Sequence, residues 1–78
     1  MANNSKDRIK KISLFLKNKN FNDAKFIIDQ LISEQPNNVD FLNILGIIFL
    51  ETEKYIEAEN IFKKILDFKS NSFLVILN

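Results

Sequence analysis

Val39-Asp-Phe-Leu-Asn-Ile-Leu-Gly-Ile-Ile-Phe-Leu-Glu-Thr52 decides how the rest of this chain must fold. Wound as a helix, it is apolar nearly all the way round, and a helix of that kind has to be covered on more than one side. It therefore calls for one helix before it and one after it. The 12 residues from Val39 to Leu50, with Asp40 and Asn43 among them, are too few and too polar to cross a bilayer.

Upstream, Phe21, Ala24, Ile27, Ile28, Leu31 and Ile32 share one helical face, which predicts a helix from about Phe21 or Asn22 to Glu34. Pro36 cannot continue that helix and pushes Gln35 out of the helical region. Asn37 or Asn38 can then cap the helix that follows. Further back, Ile9, Ile12, Phe15 and Leu16 predict a helix from Lys6 to about Asn18, with Leu14 to one side. Lys6, Arg8, Lys10, Lys11 and Lys17 fill its other faces, as suits the outermost helix of a stack. Asn18-Lys19-Asn20 is the break between the two helices, and Asn tolerates the left-handed conformation that ends many helices. Residues 1–5 read as a flexible N-terminal tail.

Downstream, the pattern of the second helix returns 34 residues later: Phe21 maps to Tyr55, Ala24 to Ala58, Ile27 to Ile61, Ile28 to Phe62, Leu31 to Ile65 and Ile32 to Leu66. The first helix maps on the Val39 stretch less closely, although Phe15 falls on Phe49 and Leu16 on Leu50. A fixed period of this length means two copies of one helix-hairpin unit. The expected fold is all-α, built of antiparallel helix-hairpin repeats in one domain over residues 6–78. Unit one covers residues 5–38, unit two residues 39–72, and a truncated third unit residues 73–78. In that third unit Asn71 acts as cap, Phe73 maps to Val39 and Ile76 to Leu42. The consecutive apolar residues Phe73 to Leu77 form an end that wants covering, by the rest of a longer array or by another subunit.

Composition narrows the chemistry. Seventy-eight residues allow one small domain with a thin core. A net charge of +1 gives no global field toward nucleic acid. The absence of Cys excludes disulfides and thiolate metal sites, and the absence of His removes the commonest neutral-pH base and metal ligand. The start Met1-Ala-Asn-Asn-Ser5 lacks the apolar core of a signal peptide, so a cytoplasmic location is expected. The bias toward Ile, Phe, Asn and Lys suits an AT-rich genome.

The period and the residue types resemble the tetratricopeptide repeat, an α-solenoid family. Leu42, Leu45, Gly46, Phe49, Tyr55, Ala58 and Phe62 sit where that family places its large–Leu–Gly–aromatic and Ala–aromatic signature. Ala24 and Pro36 match in unit one, Pro36 at the position that closes a unit, where Ser70 stands one unit later. The resemblance implies that Gly46 and Ala58 let the two helices of a unit approach closely. Ile12 replaces the small residue in unit one, which implies a looser pairing there. Glu53 stands where the family often has a Gly, so Glu53 is expected either in a left-handed conformation or in ordinary helix. The first helices of successive units would line a concave groove. On this chain that face comprises Lys6, Ile9, Lys10, Ser13, Leu16 and Lys17, then Asp40, Asn43, Ile44, Ile47, Leu50 and Glu51. An apolar floor with Lys and Asn on its walls suits an extended or helical peptide of some acidic character. A third unit could instead bury Ile44, Ile47 and Leu50. The clamp by which some relatives hold a chain-terminal carboxylate is absent, because Ile9, Ser13, Ile44 and Leu74 occupy its positions.

Rival chemistries are weaker. Glu51, Glu53, Glu57 and Glu59 crowd one turn, and Glu53 with Glu57 could bind a hard cation or do acid–base work. Acids at a solvated helix start are accounted for by the helix dipole. The basic run between Ser5 and Lys19 could lie on phosphate or lipid headgroups, but a charge run on a terminal helix is usually a solvated face. No phosphate-cradling Gly-rich loop is present, and no Ser–His or Cys–His pair is possible. The expectation is a non-enzymatic protein-interaction module without cofactor or metal, taking a protein or peptide partner rather than nucleic acid or membrane. Two rivals remain: the recruiting N-terminal segment of a larger bacterial glycosyl- or sulfotransferase, and a structural protein that self-associates through residues 73–78.

Overall fold

The computed structural model describes the backbone of residues 5–77 and the side chains of residues 6–69. Four helices follow one another: α1 Ser5–Lys17, α2 Phe21–Glu34, α3 Val39–Glu51 and α4 Tyr55–Leu77. The described residues contain no strand. The chain is all-helical, as the patterning requires. Residues 1–4 of the expected tail lie outside the described residues, and Ser5 already belongs to α1. The starts of α1 and α3, their ends, and the starts of α2 and α4 all lie 34 residues apart. The sequence period is therefore also a period of the backbone.

The corners repeat too. After α1, the Lys19 N–H donates to the Leu16 carbonyl at 3.0 Å and the Asn20 N–H to the Phe15 carbonyl at 2.7 Å. After α3, the Glu53 N–H donates to Leu50 at 3.1 Å and the Lys54 N–H to Phe49 at 2.8 Å. This paired closure satisfies the last carbonyls of a helix, and it needs a left-handed residue at the first position past the cap. Lys19 (φ 61°) and Glu53 (φ 63°) supply it. Glu53 thus adopts the left-handed alternative. In the first corner the left-handed residue is Lys19 and neither flanking Asn, against expectation, because the hydrogen-bond register of the corner fixes the position whatever residue stands there. At the start of α3, Asn38 is the cap: its Oδ1 accepts from the Phe41 N–H at 3.1 Å.

The end of α4 departs from the sequence reading. A break at Ser70–Asn71 and a separate third unit at 73–78 were expected, yet α4 runs without interruption to Leu77. The physical difference lies at position 70: Pro36 ends the preceding copy by removing a donor and restricting Gln35, whereas a Ser can remain helical. The side chains of Phe73–Leu77, on which the expected self-association rests, lie outside the described residues, as does Asn78.

Among the described residues each helix packs only against its neighbours in sequence: α1 on α2, α2 on α3, α3 on α4. The molecule measures 43 × 35 × 18 Å, so it is about two helix diameters thick. Ile12, Ala24, Ile28, Leu31, Phe41, Leu45 and Ile48 form one buried cluster across the first three helices. Leu42, Ala58 and Ile65 are buried as well. The apolar helix α3 is covered by α2 on one side and α4 on the other, as its pattern demands.

The space beside Gly46 in unit two is filled. A Cβ built on Gly46 would lie 2.6 Å from Phe62 Cζ and 2.8 Å from Cε1. The ring of Phe62 is what a side chain on Gly46 would meet first. At the corresponding place in unit one, Ile12 is 1% exposed and among the largest fully buried side chains. Tyr55, expected in the packed signature, is 62% exposed. The open ends of α1 and α2 are tied by Arg8, whose Nη1 and Nη2 donate to the two carboxylate oxygens of Glu34, both at 2.8 Å.

Candidate interaction groove

The expected groove residues fall on α1 and α3. Lys6, Lys10, Ser13 and Lys17 are exposed on α1, as are Asp40, Asn43, Ile47, Leu50 and Glu51 on α3. Ile9, Leu16 and Ile44 are half-buried and pack against the core cluster. A recess of about 200 Å³ is lined by Leu16, Lys19, Phe21, Ile47 and Glu51. The structure thus brings Leu16, Ile47 and Glu51 of the expected face to one place and adds Lys19 and Phe21. Lys6, Ile9, Lys10, Ser13, Lys17, Asp40, Asn43, Ile44 and Leu50 do not line it.

The two additions come from the corner between α1 and α2. Lys19 holds the left-handed position there and Phe21 opens α2. Their signal in the sequence was the 34-residue period itself, which sets them opposite Glu53 and Tyr55. The recess needs α3 beside this corner, however, and among the described residues no such neighbour lies beside Glu53 and Tyr55. Three apolar side chains and one charge of each sign make a wall that can take an apolar anchor and orient a dipolar or charged flank. Ile47 is 40% exposed and Leu50 44% exposed, on the helix with the highest apolar content in the chain.

A second, larger recess of about 390 Å³ lies between α1 and α2, lined by Arg8, Lys11, Phe15, Asp23, Phe26, Ile27 and Gln30. None of these was expected to form a site. Phe26 is 66% exposed and lies off the apolar face of α2. The Arg8 side chain is largely covered, and its Nε is buried without a hydrogen-bond partner. The bidentate contact raises the Arg8 pKa and holds the Glu34 carboxyl below its ordinary value; in both the hydrogen bond is the main cause.

Glu51, Glu53, Glu57 and Glu59 are all exposed. Among the described residues no three acids converge in a way that could hold a metal ion, and no helix is long and apolar enough to cross a membrane. Compared with known proteins, the chain matches no protein-family model, no curated protein and no solved structure.

Proposed function

We propose that the chain is a protein-interaction module of tetratricopeptide-like design that takes a partner peptide along the face shared by α1 and α3. The observation that carries this reading is the exposure of Ile47 and Leu50 on α3 beside the recess formed with Leu16, Phe21, Lys19 and Glu51. Aliphatic side chains left open on a helix already sandwiched between two others are not needed for the hairpin's own packing. An apolar recess lined in part by Lys19, beside the helix α1 that exposes Lys10 and Lys17, favours a peptide with an apolar anchor and acidic neighbours.

The test is selection of displayed 15-residue peptides on the 78-residue chain, with Ile47→Glu as the counter-target. Ile47 is exposed, so the variant should melt within a few degrees of the parent. Selected peptides should pair an apolar anchor with acids and lose at least about tenfold in affinity to Ile47→Glu. Peptides that bind both proteins equally would place the interaction elsewhere.

A further inference from the structure

The 34-residue period gives each residue of α1 a counterpart on α3, and at two places the charge changes sign. Lys6 corresponds to Asp40 and Lys17 to Glu51. All four are exposed. Among the described residues none of them has an ion-pair partner; the pairs formed there are Arg8–Glu34, Lys25–Asp29 and Lys63–Glu59. The two lysines are eleven residues apart, as are the two acids. That spacing is close to three helical turns, so each pair lies on one line of its helix. The line on α1 runs beside the half-buried Ile9 and Leu16. The line on α3 has the exposed Ile47 between its acids and the half-buried Ile44 beside it, and α3 carries no base anywhere. The two lines also run the same way. Arg8, near the start of α1, is bonded to Glu34 at the end of α2. Phe21, which opens α2, shares a recess with Leu16 near the end of α1 and with Ile47 and Glu51 near the end of α3. Both α1 and α3 are therefore antiparallel to α2 and parallel to each other. One wall of the shared face is basic and the other acidic.

Building on the peptide site proposed above, we infer that its occupant is an amphipathic helix with acids along the edge that faces α1, bases along the edge that faces α3, and an apolar seam between them. A wholly acidic segment would meet Lys6 and Lys17 on one side and be repelled by Asp40 and Glu51 on the other; a wholly basic segment has the converse difficulty. Edges of opposite sign satisfy both walls, as charged flanks do in paired helices. A helix repeats at the pitch of the walls, so side chains at i and i+11 on one edge reach both ends of a wall. It also bonds its own backbone. The backbones of α1 and α3 are bonded internally and offer an extended strand no ladder to join. The charges fix the direction as well. Turned end for end, with its seam still on the floor of the face, the helix would set acid against acid and base against base.

Fluorescence anisotropy with synthetic versions of the selected 15-residue peptides, titrated with the 78-residue chain and its wall variants, tests it. Peptides that lose affinity to Ile47→Glu should carry both acids and bases and gain helical circular dichroism on binding. Lys6→Glu with Lys17→Glu should weaken them about tenfold, and so should Asp40→Lys with Glu51→Lys, because each sets like charges together. The variant with all four changes should regain affinity for the same peptide with its acids and bases exchanged. All four positions are exposed, so every variant should melt within a few degrees of the parent. Peptides that depend on Ile47 but keep their affinity for either wall variant overturn the inference and leave the peptide reading standing. Failure of the exchanged peptide to recover does the same. Peptides indifferent to Ile47→Glu overturn both.

Discussion

The first hairpin closes on Ile12 and the second on Gly46, two residues at the same place in the repeat. Ile12 is fully buried, and Ile28 is the fully buried residue across from it in the repeat pattern. In the second hairpin Gly46 leaves a hole that the ring of Phe62, the counterpart of Ile28, fills to within contact of an added Cβ. Medium against medium has been exchanged for small against large. Close packing depends on the summed volume of facing positions and not on either residue alone, so two hairpins with one backbone can carry different pairs. A reading of Ile12 as an intruder at a small-residue site is correct about the position and misses the compensation across from it.

Several substitutions break or sharpen this comparison. Ile12→Ala should have the largest effect: truncating a fully buried aliphatic side chain costs about 2–5 kcal/mol, much of the stability of a domain this size. Thermal denaturation followed by circular dichroism should show a broad, early transition or none. A midpoint close to that of the parent would mean the first hairpin tolerates the loss by collapsing.

Gly46→Leu should follow, at about 1–3 kcal/mol or somewhat more. The nearest atoms belong to the far end of the Phe62 ring. Phe62 is only half-buried, so the ring can swing outward and relieve part of the clash. The sharper test copies the first pair into the second hairpin. Gly46→Ile alone should destabilise strongly, while Gly46→Ile with Phe62→Ile should return to within about 1.5 kcal/mol of the parent. If the double variant is no better than the single one in urea denaturation, the two positions do not compensate each other.

The corners predict smaller changes of opposite sign. Lys19 and Glu53 both hold positive φ, a conformation that costs a side-chain-bearing residue roughly 1 kcal/mol. Lys19→Gly and Glu53→Gly should each be neutral or stabilising by up to about 1 kcal/mol, the relief being offset by the greater freedom of Gly in the unfolded chain. A clear loss at either site, read from the urea midpoint, would show that its side chain contributes more than the strain costs. The smallest effect belongs to the Arg8–Glu34 pair, present in the first hairpin only. Its Glu34 pKa is lowered in the folded state, so its contribution is present above the ordinary carboxylate range and fades as pH falls through the lowered value. The stability difference between the parent and Glu34→Gln should shrink on acidification, and a pH-independent difference would count against this linkage.

Much of the fold was legible because the repeat is written twice. Pro36, Asn38 and the two apolar stripes place three of the four helices to within about a residue, since each boundary has a local chemical cause. The end of α4 was not legible. A period predicts that a boundary should recur, but Ser70 lacks the means by which Pro36 enforces one. The left-handed residue of the first corner was assigned to an Asn by its preference, whereas hydrogen-bond register put Lys19 there. The recess was half legible: Leu16, Ile47 and Glu51 follow from the helix faces. Lys19 and Phe21 enter because a corner is set against a neighbouring helix, which is a tertiary fact.

That, among the described residues, each helix packs only on its neighbours in sequence bears on how the molecule comes together. The turns between helices are short, so every contact closes a small loop at little entropic cost, and chains dominated by such local contacts fold quickly. During synthesis α1 and α2 can pair as soon as both have emerged, although the cluster they share with Phe41, Leu45 and Ile48 closes only when α3 follows. Helix α3, by contrast, emerges with one of its apolar sides still uncovered until Tyr55 and the residues after it arrive. The interval in which this chain is most exposed to wrong associations is therefore set by the time needed to translate α4.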